Sequence, residues 1–182
     1  MSDLLLSTLS KVALPAVGIG LMLFAAKKRR LSFAEDLGLR APRPVVALAF
    51  LLLWVGLIAL EEVLTRSLEG TQAKPWPAYP ACIVALRVLA LGVLGPIAEE
   101  LAFRGLLFGL LRRTRLGVVG AIVVAAAVWS LVHFQYAPIL LLIIFIDGLA
   151  LGFARHLSRS LYLPIAMHVL GNLFSISQSL SQ

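Results

Sequence analysis

The sequence predicts an all-α, polytopic membrane protein with about six transmembrane helices. Hydrophobic residues make up 60% of the 182 residues, charged residues make up 14%, and the mean hydropathy is +0.98. One small soluble domain could not bury that much apolar surface. The apolar residues also fall into six segments, each near or above the roughly 20 residues that a membrane helix needs. These segments are 4–26, 44–64, 81–111, 117–136, 138–155 and 161–180.

The first segment is interpreted as an uncleaved anchor. It is longer than the apolar core of a signal peptide, and its basic cluster, 27–30, follows the apolar run instead of preceding it. The linker LSFAEDLGLRAPRP comes next, and we expect it to lie along the membrane surface as a short amphipathic element. We expect a single membrane domain over 1–182, with two N-terminal helices and their loops in 1–80 and a four-helix catalytic core in 81–182.

The distribution of basic residues predicts the orientation in the membrane. Loop 27–43 carries six Lys or Arg residues, loop 112–115 three and loop 155–159 two, whereas loop 61–80 carries two. The positive-inside rule therefore predicts that the three basic loops are cytoplasmic and that both termini lie outside a plasma (inner) membrane. Because the charge of +7 is divided among short loops, it indicates topology and contact with the lipid bilayer, and we expect no nucleic-acid partner.

Three charged residues lie inside the third segment. Glu99 and Glu100 are adjacent, and Arg104 follows Glu100 by four positions. Charged side chains are costly at membrane depth, so a segment that retains three of them predicts a functional site. Residues i and i+4 share one helix face, so Glu100 and Arg104 are expected to pair while Glu99, about 100° around the helix, stays available.

Two more helical segments carry polar pairs with the same spacing. WSLVH places Trp129 and His133 on one face of the fourth segment, and HVLGN places His168 and Asn172 on one face of the sixth. A single membrane histidine is more often a hydrogen-bonding partner than a catalyst. Three such faces in one chain favour a shared site. Measured along straight helices at about 1.5 Å per residue, however, Glu99, His168 and His133 lie at different depths.

Together these residues resemble the motifs of the CAAX protease and bacteriocin-processing family of intramembrane proteases, also called the Abi or Ras-converting endopeptidase-like family. The resemblance covers about residues 87–172. EELAFRG matches the family's EExxFRG string, and HVLGN matches its third motif. The second motif, usually FxxxH, has Trp129 in place of phenylalanine, a change that we expect to alter packing more than chemistry.

The resemblance implies an intramembrane endopeptidase of the glutamate type. Glu99 with His133 would hold and deprotonate a water molecule, and Glu100 with Arg104 would fix the acidic helix and its charge state. Peptide hydrolysis requires such a base and also donors for the oxyanion of the tetrahedral intermediate.

His168 and Asn172 would supply those donors. The implied substrate is a peptide or protein at the membrane, cut within a C-terminal or membrane-anchored segment. Two alternatives stay open: a non-proteolytic scaffold or immunity or secretion partner with the same fold, and a small proton-coupled transporter. The chain has no inverted repeat, which disfavours the transporter.

Other protease chemistries have less support. The sequence has no HExxH and no GxSxG string, and its one cysteine, Cys82, cannot form a ligand cluster. We expect no cofactor. Zinc held by Glu99, His133 and His168 is the chemical alternative, since these are acceptable ligand types.

Asp147 is the one aspartate at membrane depth, so a two-aspartate mechanism lacks its second carboxylate. Its side chain could line the substrate cleft or form an ion pair with Arg104 across the bundle, or it could accept hydrogen bonds from a neighbouring helix or lie in a water-filled cavity. The nearby Gly148 and Gly152 form a small-xxx-small pair, which predicts close helix packing.

Overall fold

The computed structural model describes residues 2–67, 76 and 78–181, and these form six helices without any strand. The all-α prediction is confirmed. In chain order the helices are α1 (Ser2–Lys28), α2 (Pro44–Ser67), α3 (Ala81–Leu111), α4 (Gly117–Leu131), α5 (Pro138–Ser158) and α6 (Tyr162–Leu180).

Four of these helices, α1, α2, α3 and α5, are long and apolar enough to cross a membrane. α4 is apolar but has only 15 residues. Large apolar side chains cover the outside of the bundle; Leu14 is 72% exposed and Val45 is 80% exposed. In water such a surface would be strongly unfavourable, whereas in lipid it is not. The chain is therefore a multi-pass membrane protein.

The predicted close packing at the two glycines of α5 is confirmed. A Cβ atom at Gly148 would lie 2.8 Å from the Cβ of Ala126, and one at Gly152 would lie 2.7 Å from Cγ2 of Ile122. Both distances are shorter than real side chains show. α5 and α4 can therefore approach this closely only because these two positions lack a side chain.

Helix α3 contains two π-helical segments, Val88–Leu94 and Leu101–Leu107, on either side of Gly95–Glu100. Pro96 follows the first segment almost directly and has no N–H group, so it cannot complete a regular α-helical ladder there. π-Helical turns are uncommon and are frequently found at functional sites. Glu99 and Glu100 lie on the regular turn between the two segments.

The linker between α1 and α2 does not form the amphipathic surface element that its sequence predicts. It folds against the end of the bundle, where Leu37 is 1% exposed and packs with Ala26, Leu101 and Leu161. Gly38 has φ +77°, and its carbonyl accepts a 2.6 Å hydrogen bond from the backbone N–H of Leu161. The start of α6 is thus covered by this linker.

Candidate active site

A buried charged network links α3 to α6. Arg104 Nη1 donates a 2.7 Å hydrogen bond to Glu100 Oε1, and the side chains of the two residues are 1% and 0% exposed. His168 Nδ1 lies 2.9 Å from the same oxygen of Glu100. Since a carboxylate only accepts hydrogen bonds, Nδ1 carries the proton in this contact. The i, i+4 pair expected from the sequence is present, and it also fixes the orientation of the imidazole of His168.

Arg104 also ties this network to α4 and α5. Its Nη2 donates a 3.2 Å hydrogen bond to the carbonyl oxygen of Gly148, and its guanidinium carbon lies 4.4 Å from the ring centre of Trp129. A guanidinium over an indole face is attracted by the ring's negative face. These contacts hold α3, α4, α5 and α6 around one charge.

The neighbouring carboxylate, Glu99, lies in a different environment. Its side chain is 34% exposed, and its Oε2 atom lies 4.0 Å from Nε2 of His168. The same oxygen accepts a 2.7 Å hydrogen bond from the indole Nε1–H of Trp129. The two adjacent glutamates therefore contact opposite nitrogens of one imidazole, Glu100 from the buried side and Glu99 from the open side.

The hydrogen bond from Trp129 contradicts the expectation that tryptophan at this position alters packing more than chemistry. Phenylalanine, the usual residue in the family motif, has no N–H group and could not donate to Glu99. Comparison of motifs treats the two residues as equivalent aromatics. The signal that could have identified the donor is the coincidence of a membrane carboxylate with an indole on a neighbouring helix.

His133 lies near Trp129, but it follows the end of α4, whereas the sequence predicts it within that helix. α4 ends at Leu131 rather than at 136, and His133 follows in a turn closed by hydrogen bonds from its N–H to Ser130 O and from the N–H of Tyr136 to His133 O. The ring of His133 packs edge-on to Trp129 at 5.5 Å, and its Nδ1 donates to the carbonyl of Trp129 at 2.8 Å. No direct hydrogen bond joins His133 to Glu99; both contact the same tryptophan.

Asn172 is on the same face of α6 as His168, but its side chain forms a hydrogen bond with a different part of α3. Its Nδ2 donates a 2.9 Å hydrogen bond to the carbonyl of Leu91, within the first π-helical segment of α3. It is thus not part of the network that joins Glu99, Glu100 and His168, and it anchors α6 to α3 one turn farther along.

The structure supports the hydrogen-bonded interpretation of Asp147. Its carboxyl group shares a hydrogen bond with the carboxyl group of Glu61 on α2. The sequence also allowed an ion pair between Asp147 and Arg104. These two described side chains do not form one. Glu61 was not singled out in the sequence, because its partner is more than eighty positions away.

No group of three or more His, Cys, Asp or Glu side chains within the described residues is arranged to hold a metal ion. The zinc alternative would require Glu99, His133 and His168 to converge on one point. Glu99 approaches His168, whereas the ring of His133 packs against Trp129.

Residues 80–174 match the family described as type II CAAX prenyl endopeptidase Rce1-like. This range covers α3 to most of α6 and includes every residue of the network described above. Neither the curated proteins nor the solved structures contain a match to this chain. The matched range is more than half of the chain, and on this basis the protein belongs to the Rce1-like family of type II CAAX prenyl endopeptidases, which are intramembrane endopeptidases.

Proposed function

We propose that this protein hydrolyses a peptide bond of a membrane-associated peptide or protein with water activated by Glu99. The observation that carries this proposal is the difference between the two adjacent glutamates. Glu100 is fully buried and its Oε1 atom accepts from Arg104 and His168, whereas Glu99 is 34% exposed and, among the described residues, accepts a hydrogen bond from Trp129 alone. A carboxylate that accepts only one hydrogen bond keeps lone pairs free for a water molecule.

In this mechanism Glu99 takes a proton from the water as the oxygen attacks the scissile carbonyl carbon. The same proton then passes to the amine that leaves when the C–N bond breaks. His133 is proposed to help hold this water. Its Nδ1–H is directed at Trp129 O, so its Nε2 carries the free lone pair of the neutral imidazole and can accept a hydrogen bond from water.

His168 is proposed to stabilise the oxyanion. Glu100 holds Nδ1 and thereby directs Nε2 to the side of the ring where Glu99 lies, 4.0 Å away. In this role both ring nitrogens of His168 carry protons, and the Nε2–H donates a hydrogen bond to the negative oxygen of the tetrahedral intermediate. Asn172 uses one amide hydrogen on Leu91 O and retains a second hydrogen for the same purpose.

We propose that Arg104 and Glu100 position His168 and do not react themselves. Both are at most 1% exposed, so a substrate cannot touch them without rearrangement of the bundle. Their pairing keeps opposite charges together in a medium of low dielectric constant, where either charge alone would be costly. Together they orient His168, and the contact with Trp129 extends this order to Glu99.

The family description suggests a prenylated CAAX-type substrate, and the membrane location fits a substrate with a lipid or apolar anchor. A non-proteolytic scaffold is the main alternative. It would retain the buried pair for stability but would have no need for the partly exposed Glu99 beside His168.

The test is a cleavage assay with the purified chain in proteoliposomes. Two fluorescent peptides should be compared, one prenylated on the cysteine of a C-terminal CAAX sequence and one held by an apolar segment. We expect cleavage of at least one peptide, reduced about 100- to 10,000-fold in Glu99→Gln, the range typical of a lost general base.

Glu62→Gln provides the matched control, since it makes the same carboxylate-to-amide change on α2, where Glu62 hydrogen-bonds to Gln178. Its activity should equal that of the wild type. Cleavage by Glu99→Gln at the wild-type rate would contradict the assignment of the base. A wild-type protein that binds both peptides and cuts neither would support the scaffold.

A further inference from the structure

A second group of charged residues lies at the C-terminal end of α3. Here the ends of α3 and α5 and the linker between α1 and α2 enclose a cavity of about 400 Å³. Five arginines line it: Arg40, Arg112, Arg113, Arg155 and Arg159. None of them belongs to the network around Glu99.

Positive charge exceeds negative charge in this cavity. Two carboxylates, Glu35 and Asp36, also line it; Glu35 pairs with Arg40 at 2.9 Å and Asp36 pairs with Arg113. Among the described residues no carboxylate pairs with Arg112, Arg155 or Arg159, so three positive charges of the cavity remain uncompensated there. Like charges brought together repel each other, and a bound anion would relieve that repulsion.

Arg155 is the central residue of the cavity. It is 2% exposed, and within the part of the chain that the structure describes its side chain forms one hydrogen bond, a 3.4 Å contact from Nη2 to the carbonyl oxygen of Asp36. The Nε atoms of both Arg155 and Arg112 are buried without a hydrogen-bond partner. A buried guanidinium normally has its donors satisfied, whereas the described residues give Arg155 one long hydrogen bond, so an anion in the adjoining cavity would complete its hydrogen bonding.

The surrounding chain is shaped to hold this guanidinium. A Cβ atom at Gly38, where φ is +77°, would overlap the guanidinium of Arg155, so a larger residue there would strain the linker and displace that side chain. On the other side, the guanidinium carbons of Arg155 and Arg112 each lie 5.8 Å from the ring centre of Phe108. The two arginines are thus fixed on one aromatic ring by cation–π contacts.

We propose that this cavity binds a phosphate group, and that the group belongs to the headgroup of an anionic membrane lipid or to a soluble phosphate compound. Guanidinium groups bind phosphate oxygens through paired N–H donors, and clusters of arginine at helix ends are positioned at the depth of lipid headgroups. The site is separate from the protease site and does not depend on the function proposed for it.

The experiment uses the full-length chain purified in a non-ionic detergent. Native mass spectrometry measures the binding of phosphatidylglycerol and of zwitterionic phosphatidylcholine, and calorimetry measures the binding of inorganic phosphate and glycerol phosphate. We expect phosphatidylglycerol to bind more tightly than phosphatidylcholine, and the loss of one arginine to weaken binding about fivefold or more.

Arg112→Gln is the principal variant, since Arg112 is less buried than Arg155, and Arg155→Gln is the second. Arg115→Gln is the matched control because Arg115 is exposed in the same short loop but does not line the cavity. A thermal unfolding curve for each variant separates loss of binding from loss of fold.

A preference for phosphatidylglycerol that is lost in Arg112→Gln and retained in Arg115→Gln supports the lipid source. Arginine-dependent binding of the soluble phosphates without a lipid preference supports the phosphate site and assigns it a soluble ligand. Equal binding of both lipids that is unchanged in Arg112→Gln, together with no binding of either soluble phosphate, would overturn the proposal. The same conclusion follows if Arg115→Gln weakens binding as much as Arg112→Gln.

Discussion

The protease site and the basic cavity both place arginines beside carboxylates, yet the two regions balance charge differently. In the interior, Arg104 and Glu100 are at most 1% exposed and are matched one to one. At the end of the bundle, Arg113 pairs with Asp36 while their side chains are 59% and 22% exposed, and further arginines stay unmatched. Matching is required where water is absent, and the exposed arginines at the end of the bundle can be left unmatched because water or headgroups reach them. Arg155, which is buried and unmatched, is the residue for which a bound anion is proposed.

Removal of one arginine from each region should give the largest contrast. Arg104→Gln leaves Glu100 buried without its cation and should lower the free energy of unfolding by about 3–5 kcal/mol. Arg113→Gln breaks an exposed pair and should cost about 0–1 kcal/mol. Reversible unfolding in mixed micelles measures both values, and equal losses would show that the interior pair is not distinguished by its burial.

Overpacking at the interface that supports Arg104 should have the next largest effect. Gly148→Ala inserts a methyl group 2.8 Å from Ala126 Cβ and should cost about 1–3 kcal/mol. The substitution also displaces the carbonyl that accepts from Arg104, so cleavage should fall as well. Gly56→Ala on α2 is the matched control, because no atom lies within 4 Å of a Cβ there. A Gly148→Ala protein as stable as Gly56→Ala would contradict the packing described for α4 and α5.

A smaller effect is expected from the indole N–H of Trp129. Trp129→Phe keeps an aromatic ring but removes the 2.7 Å hydrogen bond to Glu99, a bond to a charged group that is typically worth about 1.5–3 kcal/mol. Trp54→Phe removes an equally buried indole N–H that has no partner and should be neutral or stabilising. In a Glu99→Ala background, which has no acceptor for the indole N–H, the cost of Trp129→Phe should shrink; if it does not, the hydrogen bond is not the source of the effect.

Chelation should have the smallest effect. We predict that the purified protein retains its cleavage rate in EDTA, because Glu99 is proposed to activate water and Arg104 already supplies the positive charge beside Glu100. Elemental analysis should be run on the same sample. About one zinc per chain, with activity lost on chelation and restored by zinc, would assign Glu99, His133 and His168 to a ligand shell.

Much of the fold could be predicted from hydropathy and spacing. The third segment, 81–111, has the bounds of α3, and the pair Glu100 and Arg104 follows from the i, i+4 geometry of any helix. The end of α4 could not be predicted, because Phe134 and Tyr136 extend the apolar run through a turn. Hydropathy records how apolar a segment is and does not record where the chain reverses.

The site depended on contacts between distant parts of the chain, which spacing cannot supply. Straight-helix counting placed Glu99, His168 and His133 at different depths. In the structure, the linker beneath Leu161 sets where α6 begins, and the turn after Leu131 returns His133 to Trp129. The bond from Trp129 to Glu99 and the pair formed by Glu61 and Asp147 likewise join separate helices, and neither has a local sequence signal.

The most direct test compares Glu99→Gln and Glu100→Gln in the same preparation, with cleavage rate and free energy of unfolding measured on each. The central claim is that Glu99 reacts while Glu100 holds Arg104 and His168 in place. Glu99→Gln should therefore lose cleavage and keep nearly all of its stability, because the amide oxygen can still accept from Trp129. Glu100→Gln should lose stability and cleavage together, because Arg104 becomes a buried cation without a counter-charge. The opposite pattern, an active Glu99→Gln protein or a Glu100→Gln protein as stable as the wild type, would contradict this account.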